Sequence, residues 1–334
     1  MSGILLSHFY DNYYGHTVDD LRQLATHFAS RDVLFLAGDS SLDNKHWFRD
    51  TAPAVNGYEG VLRGGRSKTD IAYHMNSELQ LRGLSSQFVV INAAVEEASI
   101  GSKACGRLNA QDKWVRDNIR PEDTLVVSLG GNDVALAPSP CTVASALVIT
   151  RCTPKVCLRN ACGAPLPCDD PCCGCCCGCL SNLLAFPAGY GYFLHLYETR
   201  LLSYIKRLVS RTKPKRVLVC MIYYPDEKMT GSWADPVLGG IGYNKDPEVL
   251  QTLIRSVYLS NRRRLRVPGT EVVHVPLFLP LDGTRSEDYC QRVEPSGGSG
   301  GRRMAQQLVD AALTGSAAVD RHFDVRYGGG RNGV

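Results

Sequence analysis

No run of apolar residues approaches the roughly 20 that a membrane-spanning helix needs, so no span is expected. The opening residues, Met1-Ser2-Gly3-Ile4-Leu5-Leu6-Ser7-His8, lack the basic flank and long apolar core of a secretion signal. Met1-Ser2 is not a myristoylation start, and Arg331-Asn332-Gly333-Val334 is not a prenylation box. A strong charge of one sign is also missing. A net charge of +4 on 334 residues, with no Lys/Arg stripe interleaved with aromatics, argues against a nucleic-acid partner. No internal repeat is visible. The default expectation is therefore a cytoplasmic globular protein whose thiols stay reduced. Its 44% hydrophobic and 21% charged residues are ordinary for that class.

What stands out first is Leu34-Phe35-Leu36-Ala37-Gly38-Asp39-Ser40-Ser41-Leu42-Asp43-Asn44. A short apolar run that breaks into turn residues fits a strand buried on both faces, as in a parallel sheet. Gly38 permits a sharp turn at the strand's carboxyl end, the edge where open α/β sheets bind ligands. Such a turn would hold the Ser40 hydroxyl at the rim of a cleft. An ordinary strand-to-loop turn has the same composition. Four further apolar runs read as strands: 88–92, 124–129, 216–222 and 271–275. Between them, helical spacing of apolar residues predicts helices over 18–29 (Thr17 as N-cap), 69–81, 108–119, 197–208, 249–263 and 304–313. Five buried strands alternating with helices predict a doubly wound parallel sheet. The basic run Arg262-Arg263-Arg264-Leu265-Arg266 reads as the solvated end of a helix. A single domain spanning 1–334 is expected, with a glycine-rich tail from about 316 to 334 that reads as flexible.

A second stretch meets the first. The strand around Val126 runs into Gly130-Gly131-Asn132-Asp133. Gly-Asp-Ser at one strand end and Gly-x-Asn-Asp at another, in this order, resemble the first and third blocks of the SGNH (GDSL) hydrolase superfamily. The resemblance implies a three-layer α/β/α sandwich with a flavodoxin-like sheet of five parallel strands. It also implies an esterase or lipase in which Ser40 is the nucleophile and Asn132 donates into an oxyanion hole. No cofactor or metal is called for. The expected partner is a small-molecule or lipid acyl ester.

Two blocks depart from the family pattern. In Asn92-Ala93-Ala94-Val95-Glu96-Glu97, Glu97 stands where the family carries a glycine whose N–H completes the oxyanion hole. The backbone donor can survive that change, but the glutamate side chain is expected to crowd the cleft or repel anions. In Gln291-Arg292-Val293-Glu294-Pro295-Ser296, Glu294 replaces the family's histidine and Gln291 its aspartate. A carboxylate can take a serine proton, weakly at its ordinary pKa and better when burial raises it. Glu294 is thus the candidate base, with a helix-start carboxylate as the plain alternative. His46, six residues after Ser40, is the alternative base. His195 and His274 are weaker rivals, His274 reading as a core residue.

Ten of the 14 cysteines fall in 152–179, inside an insertion of about 138–192 that shows no clean helix-strand alternation. Cys172, Cys173, Cys175, Cys176, Cys177 and Cys179 form its densest part. S-acylation of these thiols, with Leu183, Leu184 and Phe186 as a first weak contact, would hold the protein at a membrane surface. Zinc binding and an inert loop are the alternatives, and disulfides are disfavoured because neighbouring cysteines cannot easily reach one another. The function expected is ester hydrolysis. A catalytically inactive scaffold that binds at membranes is the alternative, supported by the missing histidine.

Overall fold

The computed structural model describes residues 3–168 and 175–327. Five strands, β1 (Asp32–Gly38), β2 (Phe88–Asn92), β3 (Thr124–Ser128), β4 (Arg216–Met221) and β5 (Glu271–Pro276), form one sheet. All neighbours are parallel and the order is β2-β1-β3-β4-β5, the flavodoxin-like arrangement. The chain leaves β1 toward β2 on one side and β3 on the other, so the crevice between β1 and β3 is the topological switch point.

Each strand is buried on both faces because each alternates its apolar residues between two cores. Phe35, Ile91, Val127 and Val219 point to one face. There they pack with Leu24 of α1 (Val18–His27), Trp114 of α3 (Ala110–Asn118), Ile205 of α4 (Leu201–Leu208) and Ile254 of α5 (Pro247–Arg264). Leu36, Val90, Val126 and Val275 point to the other, against Met75 of α2 (Ile71–Leu81) and Leu308 of α6 (Ser299–Thr314). The result is the three-layer sandwich. Helix starts are fixed by side-chain caps: Thr17 accepts from Asp20 N–H at 3.1 Å, Asp70 from Tyr73 N–H at 2.7 Å. Asn109 and Asp112 form a reciprocal capping box at the start of α3.

The structure corrects the sequence reading in two places. The tail expected to be flexible from 316 instead forms helix α7 (Ser316–Tyr327). Phe323 and Tyr327, four residues apart, place their rings against Phe278, and Val319 is buried on the opposite core. Only residues 328–334 lie outside the described part of that tail. The insertion is not a featureless loop either. It holds short helices Pro140–Leu147, Lys155–Arg159 and Cys175–Ser181, and a two-residue pairing of Cys162–Gly163 with Ala185–Phe186. From Tyr190 the chain runs helically into α4. Pieces this short carry too few periods to show in sequence.

Candidate active site

The switch-point crevice is shaped by two glycines. Gly38 ends β1 at φ +150°, and a Cβ there would meet the Ser128 carbonyl oxygen of β3. Gly130 stands at φ +123°, where a Cβ would run into the Tyr197 ring. Only glycine lets the two strand ends approach this closely. Asp39 then ties them together, accepting from Ser41 N–H at 3.0 Å and from Gly130 N–H at 3.3 Å. Burial pushes the Asp39 carboxyl up to about 6.

Ser40 follows, and its Oγ donates a 2.8 Å hydrogen bond to Glu294 Oε1. The two residues are 254 apart in the chain. Glu294 does not start a helix. It lies in a two-residue strand, Glu294–Pro295, paired with Tyr289–Gln291, ahead of α6. Its neighbours pin it. Tyr223 donates to Val293 O at 2.7 Å, and Asn44 Nδ2 donates to Pro295 O at 3.1 Å. Arg292, fully buried, donates to Asp235 Oδ1 at 2.9 Å, Asn244 Oδ1 at 2.6 Å and Asp226 O at 2.9 Å. Gln291 sits in the partner strand of this small ribbon.

Glu294 is 3% exposed. Burial pushes its carboxyl up to about 8, the Asp39 and Glu96 charges add to that, and the Ser40 hydrogen bond works against it. Its Oε2 has no hydrogen-bond partner among the described residues. This is a carboxyl poised near neutrality, with one oxygen on the Ser40 hydroxyl.

Asn132 occupies the first turn after Gly130, in the helix Gly131–Ala135. Its Nδ2 donates one hydrogen to Ala98 O at 2.9 Å, which leaves the other for a ligand. Asp133 beside it accepts from Ile100 and Gly101 N–H at 2.6 and 2.7 Å, fixing the 98–101 turn to this helix. Glu97 adopts φ 59°, the left-handed conformation in which glycine is at home. The expectation that its side chain would crowd the cleft is corrected: the side chain is exposed, accepts from Tyr13 Oη at 3.0 Å, and is not among the cavity-lining residues. Neither Ser40 N–H nor Glu97 N–H has an acceptor among the described residues.

Ser40, Asn132 and Glu294 line one cavity. Beyond them its wall is apolar, with Phe193, Trp233, Leu250, Leu253, Ile254 and Val257 among the lining residues. The depth comes from the helical run starting at Tyr190 and from α5.

No family model matches the chain, and no curated protein matches it. Solved structures similar to it include a GDSL-like lipase from Parabacteroides merdae, 12% identical, with a TM-score of 0.42 over 85% of this chain and 96% of that one. An acetyl xylan esterase from Geobacillus stearothermophilus is 13% identical, with a TM-score of 0.41 over 86% and 95% of the two chains. An extracellular lipase from Streptomyces rimosus is 13% identical, with a TM-score of 0.40 over 85% and 100%. At these scores and identities the likenesses carry no argument. The functional reading rests on the site itself.

Among the described residues, no histidine lines the cavity. His46 is exposed, edge-on to Tyr13 at 4.8 Å between ring centroids, and outside the cavity; it is not placed as the base. His195 is buried under the insertion with Nε2 2.9 Å from Cys168 O. His274 is a core residue, as read, and burial pushes it down to about 4.

Sequence reasoning missed Lys45. Its ammonium is fully buried and lies 2.5 Å from both Asp43 Oδ2 and Glu96 Oε1. It locks the loop after Ser40 to the loop that carries Glu97. Within the stretch Asp43-Asn44-Lys45-His46 nothing distinguishes it from a solvated lysine.

The cysteine reading needs correction. Cys177 is disulfide-bonded to Cys168 and Cys179 to Cys141, with Cα–Cα distances of 6.5 and 6.3 Å. Cys177 and Cys179 each reach a partner outside the cluster, 9 and 38 residues away, so for these two crowding within the cluster is no obstacle. Disulfide-bonded Cys177 and Cys179 are not acylation sites. Cys172 and Cys173 lie outside the described residues; Cys175 and Cys176 open the helix Cys175–Ser181.

Proposed function

We propose that the chain is a serine hydrolase of acyl esters that works with a Ser40–Glu294 pair instead of a serine–histidine relay. The observation that carries this reading is the 2.8 Å hydrogen bond from Ser40 Oγ to a buried carboxyl, in a cavity also lined by Asn132. Ionised Glu294 accepts the Ser40 proton as Oγ attacks the ester carbonyl. Oxyanion charge falls to the Ser40 and Glu97 N–H groups and the second hydrogen of Asn132 Nδ2. Protonated Glu294 then returns its proton to the leaving alcohol. In the second half, Glu294 takes a proton from water as it attacks the acyl-enzyme, then returns that proton to Ser40 Oγ as the acid leaves. The apolar wall formed by Trp233, Leu253, Ile254 and Val257 suits the hydrocarbon part of an acyl chain.

A carboxyl titrating near 8 is mostly protonated at neutral pH, and this favours the second reading, an inactive scaffold that binds acyl ligands. A fluorophosphonate probe separates the two. Labelling at pH 8 to 9 that disappears in Ser40→Ala is the expected result, and absence of labelling in folded protein would establish the scaffold. For the membrane surface, Cys172, Cys173, Cys175 and Cys176 stay the proposed S-acylation sites, and the exposed Leu183 and Phe186 would supply a first weak contact. A protein held peripherally in this way should be released from membranes by hydroxylamine, and the two disulfides speak against the reduced thiols expected of the cytoplasm.

A further inference from the structure

Behind the nucleophile loop, on the side of α2, lies a second cluster that the proposed hydrolysis does not use. His16, Asp43 and Asp70 each offer one ligand atom, the three atoms lie within 4.8 Å of one another, and all three residues are buried. They come from separate elements: the amino-terminal segment, the loop after Ser40 and the cap of α2.

The donors are prepared as metal ligands usually are. His16 Nδ1 is 2.8 Å from Phe9 O, so with Nδ1–H donating there the lone pair falls on Nε2. Its ring is stacked on Phe9 at 3.8 Å, which holds the orientation. Asp70 spends Oδ1 on the Tyr73 N–H and keeps its second oxygen. Asp43 spends Oδ2 on Lys45, while its Oδ1, fully buried, has no partner among the described residues. A buried carboxylate oxygen without a partner costs free energy that a cation would offset.

Charge points the same way. Three buried carboxylates, Asp43, Asp70 and Glu96, face the single buried ammonium of Lys45. The Lys68 ammonium, less buried, is directed at the Tyr10 and Lys45 carbonyls. With all three carboxylates ionised, the cluster lacks two positive charges counting Lys45 alone, and one counting Lys68 as well. Against its His16 and Asp70 side lies a cavity of about 10 Å³, room for one water molecule.

We propose that His16, Asp43 and Asp70 bind one first-row divalent metal ion, zinc by ligand chemistry, with water as the fourth ligand. One imidazole nitrogen and two carboxylate oxygens suit such an ion better than calcium or magnesium, which prefer oxygen alone. The site ties the amino-terminal segment and α2 to the loop three residues beyond Ser40. It stands independently of whether Ser40 is a nucleophile.

The test uses the full chain, stripped with chelator and titrated with Co²⁺ as the spectroscopic probe. One ion per chain is expected, with visible d–d bands from nitrogen and oxygen ligands and no thiolate charge-transfer band. His16→Gln and Asp70→Asn should each weaken binding by about tenfold or more. Asp70→Asn keeps the helix cap, so it carries the test if His16→Gln fails to fold. No binding, a spectrum dominated by thiolate ligands from the cysteine cluster, or affinity unchanged in both variants would each overturn the proposal.

Discussion

Glu294→Gln should cost activity and gain stability from the same buried charge, and the two effects should share one pH dependence. With the carboxyl near 8, only about one tenth of Glu294 is ionised at pH 7 and half at pH 8. If ionised Glu294 is the base, kcat/KM rises about tenfold per pH unit up to that point and then levels. An unperturbed carboxylate would instead keep its activity down to about pH 4.5. Removing the base should lower kcat/KM at pH 8 by roughly 10²-fold or more. A profile already flat at pH 5 to 6, or a glutamine variant within a few-fold of the parent, would refute the role given to Glu294.

The stability arm follows from linkage. The folded carboxyl is raised from 4.5 to about 8, so the unfolded chain releases its proton first. The parent's stability relative to the glutamine variant is therefore greatest below pH 4.5. It is lost as pH rises toward 8, by at most about 5 kcal/mol from the size of the shift. The glutamine Nε2 placed near the partnerless Oε2 position is a buried donor costing about 1–3 kcal/mol at any pH. The variant should start slightly less stable at low pH and finish more stable at pH 9. Urea unfolding of both proteins at pH 5, 7 and 9 measures that crossing. Parallel curves would mean that Glu294 is not held at a raised pKa.

Asn132→Ala should lower kcat by about 10²–10³-fold with KM nearly unchanged, since its free hydrogen serves the oxyanion alone; steady-state kinetics with a chromogenic ester reads the split. Lys45→Met leaves Asp43 and Glu96 buried without their counter-charge, a loss of about 3–5 kcal/mol that a shift in urea midpoint would report. In Gly38→Ala the new Cβ would lie 1.8 Å from the Ser128 carbonyl oxygen, so the β1–β3 contact must open. A lowered thermal midpoint with lost probe labelling is expected, and wild-type behaviour would contradict the close approach.

The sheet could be read from sequence because parallel strands buried on both faces appear as uninterrupted apolar runs. Phe88-Val89-Val90-Ile91 and Leu125-Val126-Val127 need no partner information to be recognised. The start of α1 was readable for a similar reason, since Thr17 acts on neighbours three residues away, whereas α6 begins at Ser299, five residues before the periodicity shows it. The insertion and tail were not. A helix such as Lys155–Arg159 completes barely one turn, and α7 is held by rings on Phe278, 45 residues earlier than Phe323.

The site divides along the same line. Ser40 and Asn132 follow strand ends, so local pattern places them, whereas the role open to Glu294 depends on what surrounds it. A glutamate two residues from an arginine looks like a solvated surface in sequence. In the fold, Arg292 turns away to Asp226, Asp235 and Asn244, and Glu294 is left with Ser40 and the Asp39 and Glu96 charges, with no cation bonded to it among the described residues. Had that guanidinium paired with Glu294, the carboxyl would sit well below its ordinary value and be a poor base. The base role proposed for Glu294 therefore depends on the anchoring of Arg292 elsewhere. It is this separation of the two charges, invisible at a spacing of two residues, that turns a weak acid into a candidate base.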